Sequence, residues 1–187
     1  MILPITVYGH PTLKKATKKI DKNYPKLQQL IENMFETMYQ ANGVGLAAPQ
    51  INKSIRLFII DATGYKEEFP ETENLKKIFI NAQIIEEIGK EWSFKEGCLS
   101  VPFINEEIFR KDKIHIQYYD ENFKFYNEWY EGVAARVIQH EYDHLEGKIF
   151  IDYISNMRKI LLKRKLQDIS KGNVNVKYRM VLPKNKK

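Results

Sequence analysis

Apolar residues fall at Leu27, Leu30, Ile31, Met34, Phe35 and Met38, three and four positions apart. That spacing puts them on one face, so residues 24–40 are predicted to form an amphipathic helix, and Asn42-Gly43 stops it. The period then changes. Residues 55–61 and 78–85 are short and largely apolar, as buried strands are, and a polar loop around residues 66–74 separates them. Residues 113–119 and 123–130 read as a hairpin turned at Asp120-Glu121-Asn122. A second helix is predicted over residues 133–146, ending at Gly147, and a third, basic one over residues 157–169. With no repeat, low-complexity tract or linker, the pattern predicts one α+β domain spanning residues 1–187.

Composition narrows the class. The chain has 187 residues, 43% hydrophobic and 29% charged, enough for a packed core without disulfide support. No run of eighteen apolar residues occurs, which excludes a transmembrane helix. The start, Met1-Ile2-Leu3-Pro4, has neither the basic nor the apolar stretch of a signal peptide, so a cytoplasmic location is expected. A single cysteine, Cys98, suits a reducing compartment and asks for an explanation. The net charge of +6 is unevenly placed: residues 152–187 carry eleven Lys and Arg against Asp152 and Asp168, a net of +9. The remainder is slightly acidic, so the expectation is a slightly acidic body with a basic C-terminal helix and tail, about 157–187. That segment is either a solvated face or a contact for a polyanion such as RNA.

The chemistry lies in the second helix, in His140-Glu141-Tyr142-Asp143-His144. Histidines four apart stand one turn apart on the same helix face and can converge on one metal ion. Val133 and Val137 share that stripe, so bare imidazoles there would need partners. Glu141 is rotated by about 100° from His140. It flanks the ion without binding it, where a general base for an activated water belongs. The alternative is a pair of structural histidines. A catalytic site needs a third protein ligand. Two familiar completions fail: Phe150 stands where one protease class has a third histidine, and no glutamate follows Glu146. His115 sits opposite two apolar strand residues, His10 lies in a turn, and Asp152 reads as a surface or capping residue. Cys98, in Glu96-Gly97-Cys98-Leu99-Ser100, is favoured, because a thiolate is an excellent ligand for zinc or iron.

Three motifs in order, Gly43-Val44-Gly45-Leu46-Ala47-Ala48-Pro49-Gln50, Glu96–Ser100 and Gln139–Gly147, resemble the signature of the bacterial peptide deformylases. Ile2-Leu3-Pro4-Ile5 with Tyr8-Gly9 is similar to that family's N-terminus, and the resemblance runs from about residue 2 to residue 155. It implies mostly antiparallel β-sheets packed around a central helix bearing the histidines. It also implies removal of the formyl group from formyl-methionine on newly made polypeptides. By it, Cys98, His140 and His144 bind one divalent ion, usually Fe(II) with zinc, nickel or cobalt possible, and Glu141 handles the proton. The Gln50 side chain and the Leu99 backbone N–H are assigned to the oxyanion. Gly45 is assigned to the peptide backbone; Val44, Phe94, Val133 and Val137 would enclose the methionine side chain. Glu96 would orient a ligand or pair with Arg110, and Arg136, off the apolar stripe, is given no catalytic role. Asn105 and Phe109 depart from the family pattern near the expected pocket rim. A ribosomal RNA contact through the basic C-terminal segment is a further expectation from charge and substrate.

Two other classes compete. One is a zinc-dependent peptidase using the same Cys-His-His site. The other is a non-catalytic metal or RNA-binding module, for which a closed site of four protein ligands would be usual.

Overall fold

The computed structural model describes residues 1–183; Lys184, Lys186 and Lys187, part of the expected basic tail, lie outside the described residues. The apolar face read between residues 24 and 40 becomes α1, Leu27–Gln40, which buries Leu27, Leu30, Ile31, Met34 and Met38. It starts three residues late. Pro25 disfavours a helical Tyr24, and Lys26 takes a left-handed φ of 56° before the first turn.

Five antiparallel strands form the main sheet in the order β2-β3-β4-β5-β6. They are β2 (Gly45–Ala47), β3 (Leu57–Asp61), β4 (Lys76–Cys98), β5 (Val101–Tyr119) and β6 (Phe125–Glu131). The apolar run of β3 is buried, with Phe58 stacked on Phe79 of β4 at 4.5 Å between ring centroids. Both β4 and β5 are far longer than apolar pattern predicts. Residues 85–91 of β4 are exposed, so they carry no apolar alternation to read. Their pairing with β5 makes them a strand, and register shifts between Ile84 and Glu86 and between Ile88 and Glu91 mark bulges in that ribbon. The hairpin at Asp120 forms as expected, with the Asp120 carboxylate accepting from the N–H groups of Asn122 and Lys124.

The second predicted helix is α2, Gly132–Leu145, which buries eleven of its fourteen residues against the sheet. It begins at Gly132 with φ 58°, and Glu71, from the loop before β4, accepts the Val133 N–H at 2.9 Å. It is followed by Gly147 at φ 71°. The third, α3 (Asn156–Ser170), is capped by the Ser155 hydroxyl. Expected as part of an appended tail, α3 instead packs Leu162, Leu166 and Ile169 into a second core with Val101, Ile104 and Phe150. The chain then returns. β7 (Met180–Val181) pairs in parallel with β1 (Ile5–Thr6), closing the C-terminal segment on the start of the chain.

The C-terminal end of α2 yields a prediction. A Cβ on Gly147 would lie 2.8 Å from the Lys14 carbonyl carbon, and its φ of 71° already disfavours any other residue. Gly147→Ala is expected to lower stability by about 1–3 kcal/mol, read by urea denaturation.

Candidate metal centre

The rotation of α2 follows from its buried stripe. With Val133 and Val137 in the core, His140 and His144 emerge on the same side, facing the turn between β4 and β5. Cys98 ends β4, and Leu99-Ser100 form the tight connection to Val101, which pairs with Cys98. Single ligand atoms of Cys98, His140 and His144 lie within 4.8 Å of one another, and His144 Nε2 is 3.4 Å from the thiol sulfur. Both imidazoles lie deep in the protein: His144 is fully buried, and burial lowers its pKa well below the ordinary histidine value, favouring the neutral ring a ligand must be.

The His140 Nδ1 meets Glu96 Oε2 at 2.8 Å, which leaves its Nε2 for the cluster. Glu96 is 5% exposed and is gripped by more than the histidine. Arg110 donates to both its oxygens, at 2.7 and 3.0 Å, and Arg136 donates to Oε1 at 3.0 Å. Burial alone would raise the Glu96 carboxyl; hydrogen bonds and charge from His140 and Arg110 outweigh it and hold it far below the usual carboxylate range. Arg110 continues to Asp143 at 2.7 Å, and Asp143 accepts from the Tyr153 hydroxyl.

Glu141 is different in kind. It is 4% exposed, and its Oε2 has no hydrogen-bond partner among the described residues. Burial pushes its carboxyl up to about 7. It lies against Gly45, where a Cβ would overlap the carboxylate, so a larger residue there would displace the Glu141 side chain. Gln50 sits in the short 3₁₀ turn Ala48–Ile51, and its carbonyl accepts the Ala47 N–H at 2.8 Å. That fixes the amide, whose Nε2 donates towards Cys98 Sγ at 3.4 Å and Ser100 Oγ at 3.3 Å.

A cleft of about 810 Å³ opens above these groups, lined by Val44, Gly45, Gln50, Phe94, Leu99, Val133, Val137, His140 and Glu141 among others. All the residues expected at the site are therefore brought together. The other ligand possibilities are not. His10 caps a turn by accepting the Thr12 N–H, Asp152 pairs with Lys14, and His115 stacks on Trp129. Asn105 lines the cleft, whereas Phe109 stands exposed on β5.

Several residues escaped the sequence reading. Arg136, given no role, is 1% exposed; besides Glu96 it donates to the Ile108 and Trp92 carbonyls and lies 4.7 Å over the Trp92 ring. A charge on a helix so fully buried needs a counter-charge, and this was the available signal. Asp143 and Tyr153 were missed for want of a spacing rule. Tyr178, beyond α3, donates its hydroxyl to the Leu99 carbonyl at 2.7 Å and lines the cleft with Asn175, Val176 and Lys177.

Two histidines on a buried helix, a cysteine on the facing turn and a lone carboxylate beside them describe a metal-dependent hydrolase. Comparison with known proteins makes the class specific. The family described as polypeptide deformylase matches residues 2–160. Peptide deformylases of Christiangramia forsetii and Flavobacterium psychrophilum are 55% and 50% identical, each aligned to all of this chain and to 99% and 100% of their own. A crystal structure of a peptide deformylase from Legionella pneumophila superposes with a TM-score of 0.81 at 36% identity, covering 92% of this chain and 98% of that one. For the Thermotoga maritima peptide deformylase the TM-score is 0.74 at 41% identity, covering 83% and 99%. The chain belongs to the polypeptide deformylase family, metal-dependent hydrolases that remove the N-formyl group from nascent peptides.

The Glu96 hub predicts a double effect. Glu96→Ala leaves the buried Arg136 guanidinium without a carboxylate, leaves Arg110 with Asp143 alone and frees His140, so a stability loss of about 3–5 kcal/mol is expected by urea denaturation. Cobalt affinity, measured by equilibrium dialysis, should fall by about 10–100-fold.

Proposed function

We propose that Cys98, His140 and His144 hold one divalent ion and that formyl-methionyl nascent chains are hydrolysed beside it. One observation carries the reading: three donors converge within 4.8 Å, next to a buried carboxylate oxygen without a partner, beneath a cleft of peptide size. The donor set fits such an ion. A thiolate and two neutral imidazoles suit iron, zinc, nickel or cobalt, and we assign Fe(II) on the family resemblance. When bound, the ion supplies Lewis acidity at the formyl group and lowers the pKa of water.

The remaining steps belong to the chain. Glu141 takes the proton of the attacking water on its carboxylate and returns it to the departing methionine nitrogen, a task suited to a carboxyl held near 7. The Gln50 Nε2–H and the Leu99 N–H donate to the oxygen on which charge develops. Gly45 offers its backbone to the peptide, and Val44, Phe94, Val133 and Val137 enclose the methionine side chain away from water.

Formate release from formyl-Met-Ala-Ser, with the peptide backbone intact, separates this reading from a peptidase; cleavage of internal peptide bonds would overturn it. Glu141→Ala is expected to keep the ion and lose about 10²–10⁴-fold in formate release, checked by metal analysis beside the assay.

The cytoplasm is the proposed compartment, and among the described residues no helix is long and apolar enough to cross a membrane. We assign α3 to a ribosomal RNA contact. It exposes Lys163, Arg164 and Lys165, and Met157, Ile160 and Leu161 are more than two-thirds exposed, while Arg158 is engaged by Glu106 of β5. Because Leu162, Leu166 and Ile169 hold the core, the test keeps the helix and changes its charge. Lys163→Gln, Arg164→Gln and Lys165→Gln together should weaken co-sedimentation with ribosomes. For every phosphate that the protein no longer neutralises, the plot of log affinity against log salt should flatten by about 0.7–0.9.

A further inference from the structure

The register of the hairpin beside Cys98 breaks at one place. Gly97 pairs with Asn105 but Cys98 pairs with Val101, so Pro102, Phe103 and Ile104 have no partners on β4 and bulge out of the ladder. Val101, Pro102 and Ile104 are buried and hold the bulge down. Phe103 between them is 69% exposed and takes a left-handed φ of 64°. A bulky side chain is disfavoured in that conformation, where glycine or asparagine would be at ease. An exposed ring on a strained backbone contributes little to the fold. Yet Phe103 lines the same cleft as Cys98 and Glu141, and so do the exposed Tyr65 and Lys177.

Resting on the deformylase reading of the cleft, we propose that Phe103 is a specificity-determining residue. A peptide whose formyl-methionine fills the floor of the cleft must leave it past the rim, and its next residues are the occupants nearest an aromatic ring fixed there. The Phe103 ring then covers a side chain at the second or third position, burying apolar surface that glycine does not offer. Selectivity is therefore for large apolar residues after the methionine. The backbone strain is the consequence of keeping a phenyl ring at a position whose conformation suits glycine.

The test compares kcat/KM for formyl-Met-Phe-Ser and formyl-Met-Ala-Phe against formyl-Met-Gly-Ser and formyl-Met-Ala-Gly, respectively. The wild-type protein should favour phenylalanine by about ten-fold at one of the two positions, the effect of partial apolar burial. In Phe103→Gly that ratio should fall to within two-fold of one, while the Tm stays equal or rises because glycine relieves the left-handed backbone. Phe103→Tyr should keep the selectivity. No preference in the wild-type protein, an unchanged ratio in Phe103→Gly, or a Tm lowered by several degrees would each overturn the proposal. If the wild-type protein releases no formate from any of the four peptides, the deformylase reading itself fails. Formate release without selectivity removes only the role of Phe103.

Discussion

A carboxylate kept ionised in a protein interior needs partners, and the architecture around α2 follows from how the charge of Glu96 is met. Moving it out of water costs several kcal/mol unless partners replace the lost hydration. Here they come from two elements that face β4: Arg110 on β5, and Arg136 and His140 on α2. The two guanidinium groups are in turn balanced by Glu96 and Asp143, so the buried network holds two permanent positive and two negative charges. That balance fixes distances as well as energies. β4, β5 and α2 are held in the arrangement that brings Arg110, Arg136 and His140 to Glu96, and in it the Cys98 turn faces the two histidines. The geometry of the proposed metal site is thus set one layer away from its proposed ligands.

Glu141, one residue along the same helix, shows the opposite condition. Its neighbour His140 is tied to Glu96, while its own Oε2 is left without a partner. An unpaired polar atom in the interior destabilises the fold, and one beside the proposed ligands is free to serve the proposed chemistry. The contrast assigns different work to two carboxyls in one site. Glu96 is held ionised by its partners and serves as a fixed counter-charge. Glu141, pushed to about 7 chiefly by burial, can change its proton occupancy during a reaction at little cost.

Legibility in the sequence followed burial on one side of an element. α1, β3 and α2 each carry a one-sided or continuous apolar pattern and were read within a few residues. The outer half of β4 is exposed on both faces, so its strand character exists only in its pairing with β5, a long-range fact that local pattern does not contain. The site divided similarly. His140, Glu141 and His144 obey a helical spacing rule, and Cys98, Gln50 and Leu99 fall in short motifs. The Glu96–Arg110 pair was among the expectations, whereas Arg136, Asp143 and Tyr153 join it by geometry, and no spacing along the chain announces them.

The C-terminal segment argues that this division has functional meaning. The family match ends at residue 160, within α3, and contains all the proposed ligands and proton-handling groups. Yet Asn175, Val176, Lys177 and Tyr178 line the cleft, and the Tyr178 hydroxyl holds the Leu99 carbonyl in the turn after Cys98. These residues are placed there by the parallel pairing of β7 with β1 and by the packing of α3 into the second core. The reacting groups therefore stand on elements whose positions are over-determined by buried charge and apolar packing. The rim is built from a bulge and a returning strand, which can vary in sequence without disturbing the network beneath. A protein organised in this way can keep one reaction while changing which chains it accepts, because the two requirements rest on different contacts.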